Sequence, residues 1–328
     1  MSGPIIYRFD DVSIFIDAQN GNLCDYINEY CYLTKTEEMQ EKTISITYRE
    51  DDQADIGAVI PADAALNFDV PFEMEGVSRL KRFSRAGAES WSVYEGYGSV
   101  YCNYDTREIA IVLGNGGSGL DITGFIVLFI HPVIRALGSY GYHRLHAACL
   151  KVGARNILIT GQSGRGKSTA TFALANRGHQ VLSDEMPLLR KTDRGFCFYA
   201  LFNMVKLRWT ALERFFGDFD RIRFRKGEDC YIKLSDLNQT GLEKLEGIQQ
   251  LFILKQTGQD DTEIETISCL EVVPEMFPVS LSIMRDQQAE KDFQALMDLL
   301  DTVECYQVCF GTDPDLFTER MEKMTVSK

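Results

Sequence analysis

Eight consecutive residues carry the clearest chemistry in the chain: Gly161-Gln162-Ser163-Gly164-Arg165-Gly166-Lys167-Ser168. They fit the pattern G-x-x-x-x-G-K-[ST], and Thr169 continues into the next element. Glycines let a backbone curl without a Cβ clash, so successive N–H groups turn inward and form an anion nest. A helix that begins there adds the partial positive charge of its N-terminus. In such a cradle Lys167 reaches the β- and γ-phosphates of a nucleotide, and the Ser168 hydroxyl sits on Mg²⁺. A nucleotide with Mg²⁺ is the expected occupant. The pattern names the ligand class and leaves the reaction open, because ATPases, GTPases and kinases all use it.

A second cluster follows. Gln180-Val181-Leu182-Ser183 reads as a strand, and Asp184-Glu185 come directly after it, ahead of Met186-Pro187. One carboxylate beside a phosphate loop can help hold Mg²⁺, and the other can accept the proton of an attacking hydroxyl. Neighbours on a regular strand point to opposite faces, so both can serve one site only where the strand has ended or bulged. Pro187 favours such an ending. His146, in His143-Arg144-Leu145-His146, precedes a further apolar run, and its residue type alone does not separate a catalytic role from a structural one. Lys206 and Arg208 alternate with Val205 and Leu207, which puts both cations on one side of a strand. They are either a source of positive charge for the transferring phosphoryl group or a solvated strand face.

The elements that must position these groups alternate between strand and helix. Asn156 to Thr160 is a β-branched run before the loop, and a helix is expected over about 166–177, with Gly178 where a C-terminal cap falls. Further strands are expected near 144–151, 187–190, 196–200, 251–255, 264–271 and 304–308. Helices are expected from Trp209 to Phe216 and over about 121–138, 287–301 and 313–325. Residues 1–118 read as a mostly β region, from Ile14-Phe15-Ile16, Thr43 to Tyr48, Trp91 to Tyr94 and Glu108 to Leu113. Polar loops such as Arg49 to Gln53 separate them. Asn115-Gly116-Gly117-Ser118-Gly119 is the expected junction, so the domains are 1–118 and 119–328, and the fold class is α/β (α+β).

The chain has 328 residues, with 34 Lys plus Arg against 48 Asp plus Glu, for a formal charge of −14. That balance argues against a general nucleic-acid binder and against attraction to an anionic membrane. The apolar run Phe125 to Ile130 is broken by His131, Pro132 and Arg135, short of the roughly 20 residues a span needs, so it reads as a buried helix. No signal-peptide pattern opens the chain, and nine Cys occur without a C-x-x-C pair. The expectation is a cytoplasmic protein with reduced thiols.

Taken in order, His146, the loop Gly161 to Ser168, Arg177-Gly178-His179 and Asp184-Glu185 resemble the HPr kinase/phosphorylase family and the wider group of HPr-kinase-like serine kinases. The close match covers about 143–190, with weaker similarity through Val303 to Tyr306 and Phe310 to Pro314. The resemblance implies a phosphoenolpyruvate-carboxykinase-like, mixed-sheet P-loop kinase domain behind the β-rich N-terminal region. It implies transfer of the ATP γ-phosphate to a serine-type hydroxyl on a protein, peptide or small molecule. By the same resemblance Lys167 binds phosphate, Ser168 and Glu185 lie near Mg²⁺, Asp184 is the candidate base, and His146 joins the site. A homo-oligomer is compatible with it.

Two departures stand out. The family's pair of aspartates is Asp184-Glu185 here, and Asn203 to Arg208 replaces its Arg-Gly-Leu-Gly-type segment, so phosphorylase activity is not expected. Two rival functions keep the same loop: an ATPase or nucleotide-dependent switch, and a nucleotide-binding module without transfer. No Asn-Lys-x-Asp guanine motif supports a GTPase switch. Residues 1–118 are left as the region for acceptor or partner recognition.

Overall fold

The computed structural model describes residues 4–18, 22–51, 60–74, 77–85, 89–114, 119–162, 164–217, 219–237, 242–256, 261–280 and 287–326. The chain forms two compact units, Met1–Tyr140 and Gly141–Lys328.

The first unit is built on one nine-stranded sheet. Its strands are β1 (Ile5–Phe9), β2 (Val12–Ala18), β3 (Thr34–Thr36), β4 (Lys42–Glu50), β5 (Ala65–Met74), β6 (Val77–Arg85), β7 (Glu89–Tyr94), β8 (Gly98–Asn103) and β9 (Glu108–Leu113), with helix α1 (Leu23–Tyr30) between β2 and β3. The strand order is β3-β1-β2-β4-β9-β8-β7-β6-β5. β4 lies parallel to β2 and β9, and the other pairings are antiparallel. Period-2 alternation explains the packing: on β4, Ile44, Ile46 and Tyr48 are buried while Ser45, Thr47 and Arg49 face out.

A helical segment closes this unit: α2 (Ile122–Gly124), a π-helical stretch Phe125–Ile130 and α3 (His131–Gly138). Asp121 caps it, its Oδ1 accepting from the Gly124 N–H at 2.7 Å and from the Tyr97 hydroxyl at 2.9 Å. Phe125, Leu128, Phe129 and Ile130 are all buried, which accounts for a helix without a polar face. The boundary between units therefore follows this segment, whereas the sequence placed it before, at 118. Tyr140 holds the end of the segment to β4, donating to the Thr43 carbonyl at 2.9 Å and accepting from the Thr43 N–H at 3.0 Å. Residues 115–118 of the expected junction lie outside the described residues.

The second unit runs β10 (His143–Arg144), β11 (Ala148–Val152), β12 (Arg155–Thr160), α4 (Lys167–Asn176), β13 (Gln180–Ser183), β14 (Leu188–Thr192), β15 (Gly195–Tyr199), β16 (Met204–Arg208) and α5 (Trp209–Phe215). It continues with β17 (Ile222–Lys226), β18 (Asp229–Lys233), β19 (Lys244–Glu246), β20 (Gln250–Gln256), β21 (Glu263–Thr266), α6 (Cys269–Ser280), α7 (Gln287–Leu300), β22 (Glu304–Phe310) and α8 (Pro314–Val326). The central sheet has the order β13-β11-β12-β20-β22-β21. β12 pairs antiparallel with β11 and parallel with β20. This is the mixed α/β architecture expected, and it differs from an all-parallel sheet. A three-stranded sheet, β16-β18-β17, and helices α4 and α8 pack with it around a core that includes Phe172, Leu174, Val205, Phe252 and Phe317. β10-β14-β15-β19 forms a further small sheet.

Most expected elements of this unit lie within a few residues of their predicted places. Three readings need correction. The strand expected over 264–271 stops at Thr266, and Cys269 onward is helical; Pro274 and Pro278 had masked α6. The Arg49 to Gln53 loop begins late, because Arg49 and Glu50 extend β4 beside β9; Asp52 and Gln53 are not among the described residues. Nor are all thiols free. Cys269 and Cys305 form a disulfide, with Cα atoms 5.5 Å apart, because the start of α6 lies over β22. The other seven Cys are unbridged.

Candidate active site

The site is built where β12 turns into α4. Three glycines on this turn have positive φ: Gly161 at 151°, Gly164 at 83° and Gly166 at 91°. A Cβ on Gly166 would stand 3.0 Å from the Phe310 ring, and one on Gly161 would stand 3.1 Å from the Leu254 carbonyl oxygen. Both positions are therefore tight for a Cβ, and both have a backbone conformation that favours glycine. The Arg165 N–H bonds the Gln162 carbonyl at 3.1 Å, which closes the turn. Gln162, Gly164 and Arg165 are exposed, Thr169 is half-buried, and Ser163 lies outside the described residues.

Lys167 and Ser168 open α4 and converge on Asp184. Lys167 is only 8% exposed, and its Nζ donates to the Asp184 backbone carbonyl at 2.8 Å. The Ser168 hydroxyl donates to Asp184 Oδ2 at 2.7 Å. β13 has ended at Ser183, and Asp184 and Glu185 occupy the bend that follows, as their joint use of one site required. The pairing of β13 with β11 slips one residue at Cys149/Leu150, which helps turn the chain there.

The two carboxylates live differently. Asp184 is 2% exposed, and its Oδ1 is buried without a partner. Burial raises its pKa, with Lys167 and Ser168 opposing the rise. The Glu185 side chain is 41% exposed, and its Oε1 lies 4.0 Å from His146 Nδ1. Burial among the surrounding groups would raise Glu185, but Lys167, Lys206 and Arg144 outweigh it and hold the carboxyl below its usual range. His146 is 8% exposed. Burial, then Lys167, push its imidazole down to about 4, so the ring is neutral near pH 7.

These groups suit a hard cation. An orphaned carboxylate oxygen on Asp184 sits beside the Ser168 hydroxyl, an oxygen-only donor set. Among the described residues no cluster of three or more His, Cys, Asp or Glu is placed to hold a metal by itself. Mg²⁺ needs less: one or two carboxylates, with waters and phosphate oxygens completing the octahedron.

The third part of the sequence motif lies elsewhere. Gly178, at φ 85°, ends α4 as its C-terminal cap suggested. His179 Nε2 lies 2.9 Å from Glu322, and Arg177 reaches Asp315, Glu319 and Glu322, all on α8. Arg177-Gly178-His179 thus fastens the far end of α4. Lys206 and Arg208 stand exposed on β16, with Val205 and Leu207 buried beneath, and the Lys206 charge acts on both His146 and Glu185. Arg144 was quoted with its neighbours but given no role by the sequence; it too acts on Glu185 and His146. Its position shows only once β10 is laid antiparallel to β14.

A positive-φ glycine turn joins a sheet strand to a helix here, and the helix's Lys167 and Ser168 meet the acidic bend at Asp184. No protein-family model matches the chain. It resembles the HPr kinase/phosphorylases: those of Clostridium botulinum strains Eklund 17B (type B) and Alaska E43 (type E3) are each 42% identical to it over 50 residues. The match spans 15% of this chain and 16% of the length of those relatives. The solved Hpr(Ser) kinase/phosphatase of Coxiella burnetii aligns with 56% of this chain and 99% of its own, at 16% identity and a TM-score of 0.30. Among the described residues no helix is long and apolar enough to cross a membrane.

Proposed function

We propose that the unit Gly141–Lys328 is an ATP-dependent kinase that transfers the γ-phosphate to a serine-type hydroxyl of a protein, peptide or small-molecule acceptor. The observation that carries this reading is the convergence of Lys167 and Ser168 on Asp184, with the buried His146 and the more accessible Glu185 beside them. A bare nucleotide-binding module would not need a second, more accessible carboxylate there.

In this reading the 161–168 loop binds the phosphates through its inward N–H groups, and Lys167 neutralises charge on the transferring group. Mg²⁺, when bound, neutralises phosphate oxygens, and Ser168 and Asp184 are the residues that would hold it. The acceptor oxygen forms a bond to the γ-phosphorus as the bond to the β,γ-bridging oxygen breaks, and ADP leaves. The hydroxyl proton passes to a carboxylate. The resemblance implies that role for Asp184 and the metal for Glu185. The Ser168–Asp184 bond and the accessibility of Glu185 support exchanging them: Asp184 on the metal side, Glu185 as the base, with neutral His146 orienting it. Met1–Tyr140 would recognise the acceptor or a partner.

The test is thermal unfolding with and without Mg·ATP, in wild type and Lys167→Ala. At 100 times Kd, a ligand adds roughly 2.7 kcal/mol of stability. That is a rise of several degrees, at about 2–4 °C per kcal/mol for a domain of this size. The expected result is a rise in wild type and none in Lys167→Ala. No rise in either removes the nucleotide site. Rapid ATP turnover that no hydroxyl acceptor stimulates would favour an ATPase.

A further inference from the structure

The charged groups around the acidic bend are not evenly placed. Lys167 and Glu185 are the strongest charges acting on Asp184. On the side of Glu185 and His146, two more cations enter the field, Arg144 from β10 and Lys206 from β16. The chain as a whole is strongly acidic, at −14, so this concentration of positive charge runs against its composition.

Arg144 is the less satisfied of the two cations. Its Nε is buried without a hydrogen-bond partner, while the residue as a whole is only half-buried. The carboxylates within its field are Glu185 and Asp292. Asp292 Oδ1 is already taken twice, by His143 Nδ1 at 2.8 Å and Gln288 Nε2 at 2.7 Å. Glu185 faces His146. A guanidinium stays charged at any accessible pH, and a partly desolvated charge without a hydrogen-bonded partner is costly. Its planar fork is matched by a carboxylate or a phosphate, which it can bind through two parallel N–H···O bonds. Lys206 is exposed and 3.6 Å from Asp229 on its own sheet, so it can lend charge to the same ligand without being buried by it.

We propose that Arg144, supported by Lys206, binds an anionic group of the acceptor, a carboxylate or phosphate close to the hydroxyl that receives the phosphoryl group. The acceptor is then an acidic molecule, or an acidic residue next to the target serine, rather than a neutral alcohol. This rests on the kinase reading, because Arg144 acts on Glu185 and His146, the groups which that reading sets beside the acceptor.

The test is calorimetric titration of the full chain, with and without Mg·AMP-PNP, using malonate as a carboxylate probe and inorganic sulfate as a phosphate probe. At least one should bind saturably. Arg144→Gln should weaken it roughly 10- to 100-fold, the weight of one or two charge-assisted hydrogen bonds. Arg144→Lys should keep part of the affinity, and Lys206→Met should lose part of it. Arg223→Gln is the control, because Arg223 is already engaged with Asp236 on an exposed surface, and it should bind like wild type. Malonate alone would assign the carboxylate, sulfate alone the phosphate. Binding of neither probe, or binding unchanged in Arg144→Gln, overturns the inference. If Arg144→Gln does not fold, undiminished binding in both Arg144→Lys and Lys206→Met overturns it instead. The nucleotide titration reports separately on the kinase reading. Should AMP-PNP fail to bind, the difference between wild type and Arg144→Gln without nucleotide still decides whether Arg144 holds an anion.

Discussion

The two ends of helix α4, which is ten residues long, are built on opposite principles. At the N-terminal end, Lys167 and Ser168 are drawn inward to Asp184, Lys167 to its backbone carbonyl and Ser168 to its carboxylate, a residue that is 2% exposed and keeps one carboxylate oxygen unpaired. At the C-terminal end, Arg177 and His179 reach outward to acidic side chains of α8, among them Asp315, which is 85% exposed. Both ends have a glycine in the left-handed region, Gly166 and Gly178. The difference teaches how to sort a motif. A group that leaves a buried valence open is held ready for a ligand, whereas a group whose partners are all supplied by the chain is fastening structure.

The sharpest way to break this contrast is at the acidic bend. Glu185→Gln should leave Mg·ATP binding within a few-fold of wild type and lower transfer by roughly 100- to 10,000-fold, the range of a lost general base. Asp184→Asn should weaken the metal-dependent part of nucleotide binding, so that the thermal shift with Mg·ATP falls towards that with ATP alone. The two readouts are the transfer rate and the Mg²⁺ dependence of the shift. If Asp184→Asn abolishes transfer with nucleotide binding intact, and Glu185→Gln does the reverse, the assignment implied by the resemblance stands and the exchange proposed from the geometry is wrong.

The glycines offer a second comparison, because their φ values nearly coincide, 91° at Gly166 and 85° at Gly178. An L-residue in this region costs about 1–2 kcal/mol. At Gly178 a Cβ meets nothing within 4 Å, so Gly178→Ala should cost about that and no more. At Gly166 the Cβ presses on Phe310 at 3.0 Å, and Phe310 is itself packed edge-on against Phe317 at 4.8 Å. Gly166→Ala should therefore cost more in chemical denaturation and should also abolish the thermal shift with Mg·ATP. Gly178→Ala should keep that shift in full.

His146 gives the site a pH signature. Its folded pKa, about 4, lies below the usual 6.5, so the unfolded chain binds the extra proton first as pH falls. The contribution is fully present above about pH 6.5 and is lost progressively as pH falls towards 4. Between pH 7 and 4.5, wild type should lose more melting temperature than His146→Gln. Equal losses would mean that His146 titrates as an ordinary solvent-exposed imidazole.

Much of this was legible beforehand, for identifiable reasons. The glycine turn, α4 and β13 are encoded locally, by glycines, a β-branched run and a helix-forming stretch, and they stand close to their expected places. The ending of the strand at Ser183 was legible from Pro187. What escaped was long-range. The roles of Asp184 and Glu185 depend on which of them Ser168 reaches, and two adjacent acidic residues look alike in sequence. Arg177-Gly178-His179 sits in the motif by order alone; its partners lie more than a hundred residues further on, in α8. The domain boundary moved because helix 122–138 packs on the first sheet, and an all-apolar helix does not announce which sheet will bury it.

The smallest expected effect closes the comparison at the far end of α4. Arg177 is 34% exposed in its side chain and meets Asp315, Glu319 and Glu322 at 3.4–3.8 Å, distances of loose pairs in water. Exposed pairs of this kind are worth about 0–1 kcal/mol and are weakened by salt. Arg177→Ala should therefore lower stability by at most about 1 kcal/mol, less again at high ionic strength, with both nucleotide binding and transfer unchanged. A double-mutant cycle with Glu322→Gln measures it. His179 also reaches Glu322, so a coupling that survives high salt would show that His179, Arg177 and the α8 carboxylates act as one network. A loss of transfer in Arg177→Ala would carry more weight. It would mean that the fastening at one end of α4 sets the position of Lys167 at the other, and that the division between the two ends is too strict.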